Sequence, residues 1–114
     1  MDRTDEIPCV FQIPLQYNDR RPVEPEKMLQ YLAIFNRQFG GYTPLGVIRG
    51  GSWHGQVESA ERYEVWVTRE RIPVLEEILK SIGRDLGQIE MFLIVPEASV
   101  HRLFTGESDA AAGE

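Results

Sequence analysis

The sequence predicts an α+β fold with the element order β-α-β-β-α-β. Three observations carry this: four short segments with alternating apolar positions, two longer segments with helical spacing, and turn residues between them. A chain of 114 residues holds one domain with a single modest core.

Cys9 to Leu15 alternates, with Phe11, Ile13 and Leu15 on one side and Val10, Gln12 and Pro14 on the other, a strand pattern. Pro14 lacks an N–H and belongs at the strand's end or opposite an unpaired position. Tyr17-Asn18-Asp19-Arg20-Arg21-Pro22 reads as a turn. Glu24-Pro25-Glu26 opens a helix, with proline in the first turn and acids at the positive end of the dipole. Its stripe is Met28, Leu32, Phe35 and Phe39, joined by Leu29 and Ala33, and Gly40-Gly41 closes it.

Tyr42 to Ile48 is a second strand, followed by a glycine-rich loop from Gly50 to Gly55 that carries Trp53 and His54. Tyr63 to Thr68 is a third, with Tyr63, Val65 and Val67 facing one way and Glu64, Trp66 and Thr68 the other; its start within Gln56 to Arg62 stays open. Glu70 to Leu86 is a second helix on the stripe Ile72, Leu75, Ile78, Leu79, Ile82 and Leu86, with Pro73 in its first turn. Gln88 to Val95 is a fourth strand with Ile89, Met91, Leu93 and Val95 on one face.

This order is the ferredoxin-like βαββαβ plait: an antiparallel four-stranded sheet with two helices on one face and strand order 4-1-3-2. The helix-facing core is then Phe11, Ile13, Leu15, Val65, Val67, Met91, Leu93 and the two helix stripes. The domain spans residues 8–103, with flexible tails at 1–7 and 104–114.

The net charge of -6 and pI near 4.9 argue against nucleic acid and anionic membrane as partners, since both need a basic field. Cys9 is the one cysteine, which excludes an intrachain disulfide and a thiolate zinc site and fits a reducing cytoplasm. The N-terminus lacks the apolar run of a signal peptide, and no segment is long and apolar enough to span a membrane. No dinucleotide fingerprint, P-loop or Gly-x-Ser-x-Gly motif occurs. No cofactor or bound metal is expected.

The face without helices is the informative one. It should display Gln12, then Glu64 and Trp66, then Glu90, Phe92 and Ile94. Large apolar groups on an open sheet face mark a partner surface, and a homo-oligomer is the expected occupant. Gln12, Glu64 and Glu90 form either a small polar pocket for a ligand or a set of hydrogen-bonding and solvated groups. Asn18 and Asp19 offer a ligand contact or simply stabilise their own turn. Trp53 and His54 either clamp a ligand from the hairpin or leave the tryptophan folded back over the sheet edge and the histidine solvated. His54 and His101 are the only histidines, and nothing brings them together.

Asn18-Asp19, Phe39-Gly40-Gly41-Tyr42-Thr43, Gly51-Ser52-Trp53 and Gln88-Ile89-Glu90 together resemble small uncharacterised bacterial proteins of ferredoxin-like type. Those chains carry Phe-Gly-Gly-x-Thr, Gly-x-Trp and Gln-Glu signatures; here Ile89 separates Gln88 from Glu90. The resemblance covers roughly residues 10 to 95 and implies the fold. At the level of architecture the chain is also similar to PII-type regulators, plaits whose long hairpin loop binds partners and ligands between subunits. Candidate binding residues are therefore Gln12, Asn18, Asp19, Thr43, Trp53, His54, Glu64, Trp66 and Glu90. The expected function is a non-enzymatic, oligomeric ligand-binding or regulatory module with a small-molecule ligand. The alternative is a metal-assisted hydrolase using Asp19, Glu64, Glu90 or His54.

Overall fold

A computed structural model of the chain describes residues 5–53 and 56–96, with the side chains of residues 50–58 outside the description. The elements are β1 (Glu6–Pro14), α1 (Pro25–Phe39), β2 (Thr43–Trp53), β3 (Gln56–Thr68), a short 3-10 turn (Arg69–Arg71), α2 (Ile72–Asp85) and β4 (Leu93–Ile94). The sheet is antiparallel in the order β2-β3-β1-β4, which read from the β4 edge is 4-1-3-2. The fold is the α+β plait expected from the pattern.

Alternation puts Cys9, Phe11 and Ile13 of β1 beside Tyr63, Val65 and Val67 of β3 in the core, all buried. From the helices come Tyr31, Phe35, Leu75, Leu79 and Ile82, in the same cluster, so both helices cover that one face. Stacked rings thread it: Phe39 on Phe35 at 6.4 Å, Phe35 on Phe11 at 4.5 Å and Phe11 on Tyr63 at 5.6 Å. Tyr42 closes the series edge-on to Tyr63 at 5.6 Å. Leu15, Met91 and Leu93, expected in the core, are only partly buried.

Gly40 ends α1 at φ 80 with its N–H on the Asn36 carbonyl, a left-handed conformation that glycine adopts without penalty. Leu29 is not part of the buried stripe: it is 67% exposed. The residue that packs there is Tyr31, four before Phe35, whose hydroxyl reaches out to Asp85. No helix among the described residues is long and apolar enough to cross a membrane.

The strands differ from expectation at their ends. β1 begins at Glu6, ahead of the expected start at Cys9, and ends on Pro14, one residue short of Leu15. β2 runs through Gly50 to Trp53, and β3 starts at Gln56, so most of the expected loop is hairpin ladder ending at the Trp53–Gln56 pair. The register shifts between Pro44 and Gly46 and again between Ile48 and Gly51, two irregularities on an edge strand. β4 is reduced to Leu93–Ile94, and Ile89 is 94% exposed rather than inward-facing. Gln88 cannot begin a strand, because its N–H bonds to the Gly83 carbonyl at 2.8 Å after Gly87 turns the chain at φ 73. The expected tail at 104–114 lies outside the described residues.

Candidate functional site

The helix-free face follows from the register. Across it run four rows of side chains on β2, β3 and β1: Ile48–Ala60–Pro14, Gly46–Arg62–Gln12, Thr43–Glu64–Val10, and Trp66–Pro8. β4 adds Ile94 beside Val10. Phe92 falls in the Gln12 row, where the Arg62 guanidinium lies 4.7 Å over its ring. Ile94 is 40% and Ile48 39% exposed, and Val10, Trp66 and Phe92 are half-buried. The apolar part of the face is therefore partly exposed.

Its polar groups bond to one another. Arg62 Nε donates to Gln12 Oε1 at 2.7 Å, and Trp66 Nε1 donates to Glu64 Oε1 at 3.2 Å. Arg62 thus stands over an aromatic ring and beside an amide, an arrangement that holds its side chain in one place. Arg62 and Val10 are members of this face that the sequence reading did not single out. The alternation of Glu64 and Trp66, carried two residues back, would have found Arg62.

Of the remaining candidate residues, Thr43 belongs to this face and the others lie elsewhere. Thr43 is opposite Glu64 at the exposed start of β2. Asn18 and Asp19 sit at the end of β1, in a turn closed by Tyr17 N–H to Arg21 C=O at 2.8 Å. The Asp19 carboxylate accepts from the Arg21 backbone N–H at 3.1 Å and from Arg21 Nε at 2.9 Å. These bonds hold its carboxyl below the usual carboxylate range. The Asn18 N–H bonds to the Leu86 carbonyl at 3.0 Å, which docks the turn on the end of α2. Asp19 is thereby committed to its own loop. The Trp53 backbone ends β2, its side chain and His54 lie outside the description, and Leu15 N–H to Ser59 C=O at 3.0 Å puts that hairpin at the same sheet end as the Asn18 turn.

Glu90 is separate again. It lines an open groove of about 680 Å³ between α2 and the chain leading into β4, with Glu76, Lys80 and Arg84 on α2 and Leu79 and Met91 among its apolar lining. Gln12 and Glu64 do not line it. Asp19, Glu64 and Glu90 therefore occupy three places: a turn, the open face and a groove. Among the described residues no three His, Cys, Asp or Glu side chains could together hold a metal ion.

Cys9 is fully buried beneath the sheet. Burial pushes its thiol up to about 11, against the opposing charge of Arg69. It is a packing residue. Compared with known proteins, the chain has no matching family model, and no curated protein and no solved structure matches it.

Proposed function

We propose that this chain is a non-enzymatic, oligomeric binding or regulatory module of the cytoplasm, and that the helix-free sheet face is its subunit interface. One observation carries the reading: Val10, Trp66, Phe92 and Ile94 keep part of their surface exposed on one sheet face, beside polar side chains that contact one another. A solvated sheet face has no use for a tryptophan, a phenylalanine and an isoleucine side by side. A second protomer removes them from water. The groove beside α2 supports the ligand-binding half of the reading, being of a size that takes a small metabolite and edged by charges of both signs.

The test is the solution mass of the purified protein. Wild type should run as an oligomer, and Trp66→Glu should run as a monomer that keeps the wild-type circular dichroism. A wild type that stays monomeric at the highest concentration reached would refute the reading.

A further inference from the structure

Resting on the reading of this face as an interface, we propose that the oligomer contains a two-fold dimer in which β3 of each protomer lies antiparallel across β3 of the other. In it, Arg62 of each protomer meets Glu64 of the partner subunit. The occupant is thus a second copy of this chain. The argument begins with charge. Although the chain carries -6 overall, the middle of this face carries one cation and one anion, Arg62 and Glu64, neighbours on the same side of the same strand. Alternate residues on a strand stand roughly 7 Å apart. A two-fold axis lying between the two sheets, at right angles to β3 and passing over Tyr63, exchanges those two positions.

Nη1 and Nη2 of Arg62 and Oε2 of Glu64 make no hydrogen bond among the described residues. Each side chain therefore has capacity for a second partner after its contact within the protomer.

The same axis pairs the other rows without further assumption. It sets Trp66 opposite Ala60 of the partner subunit, Phe92 opposite Ile94 of the partner subunit, and Thr43 opposite Gly46 of the partner subunit. The largest ring on the face meets one of its smallest residues, and the apolar β4 side chains meet each other. Two sheets packed about 10 Å apart need this alternation of large and small. An axis parallel to β3 would instead stack Arg62 on Arg62 and Glu64 on Glu64, which like-charge repulsion opposes.

Charge reversal tests the pairing. Arg62→Glu alone and Glu64→Arg alone should each weaken the dimer by about a hundredfold or more, because every cross-subunit contact then joins like charges. An equimolar mixture of the two variants should form a heterodimer, and the double swap Arg62→Glu/Glu64→Arg should dimerise again. The double swap keeps the composition of the face and so controls for folding. If the single variants dimerise like wild type, or the mixture stays monomeric while Trp66→Glu still abolishes dimerisation, this pairing is wrong and the interface reading survives. If wild type is itself a monomer, both fall.

Discussion

Phe11 stands at the centre of the ring stack, flat against Phe35 and Tyr63 and wholly buried. Phe11→Ala should cost about 3–5 kcal/mol in urea unfolding, because the neighbouring rings sit on separate elements and cannot close the cavity. Such a loss approaches the whole stability of a small domain. Asp85 offers a pH test. The Tyr31 hydroxyl first, and then Lys27 Nζ at 3.0 Å, hold its carboxyl below the usual range. A carboxyl with a lower pKa folded than unfolded stabilises the fold above the unfolded value and loses that contribution as pH falls through the folded one. Stability should therefore drop on acidification below about pH 4, and Asp85→Asn should flatten that part of the curve. The effect is small, since the side chain is about half exposed. At this scale Phe11, Ile13, Val65 and Val67 were legible as core from period-two alternation, whereas Cys9 and Tyr63 were left out of the expected core. Tyr31 was not, because the helix stripe was drawn through Met28, Leu32, Phe35 and Phe39, and the ring of Tyr31 packs inside while its hydroxyl reaches out to Asp85. Arg62 was missed because a charged residue marks a strand face only once the strand's start is known.

The end of α2 shows how one element limits the next. A Cβ built on Gly83 would approach Met91 Cγ to 2.7 Å and Sδ to 3.2 Å. Glycine inside a helix normally costs about 1 kcal/mol relative to alanine. Here the close approach of Met91 reverses the sign, and Gly83→Ala should destabilise by about 1 kcal/mol in urea unfolding. In a Met91→Ala background the same change should become stabilising, and that reversal identifies the contact. Both helices and all four strands could be placed from periodicity, Pro25, Pro73 and the glycines that end helices. The length of β4 could not. Ile89, Met91, Leu93 and Val95 alternate as a strand would, but Gln88 is tied to Gly83 and Met91 fills the space over it. Local alternation carries no information about such a tertiary commitment. For the same reason Glu90 was expected on the open face and lies in the groove beside α2.

For the whole molecule, an interface built on the open face makes folding stability depend on concentration. The melting temperature of wild type should rise with protein concentration, and that of Trp66→Glu should not, in calorimetry over about a hundredfold range. Binding in the α2 groove is independent of this, since its lining does not include the interface rows. A ligand that raises the melting temperature of both proteins equally belongs to the groove, whereas one that acts only on wild type needs the assembled oligomer.

The irregular β2 edge has a further consequence, for colloidal behaviour. A sheet edge is a template on which a stray strand can grow, and that is how many small β-rich proteins begin to form fibrils. Here Pro44 has no N–H to offer, and the register breaks beside it and again before Gly51. An incoming strand finds no long uninterrupted row of partners. Concentrated solutions of this protein should then stay clear and free of thioflavin-binding material, and regularising the edge should be what brings fibres on.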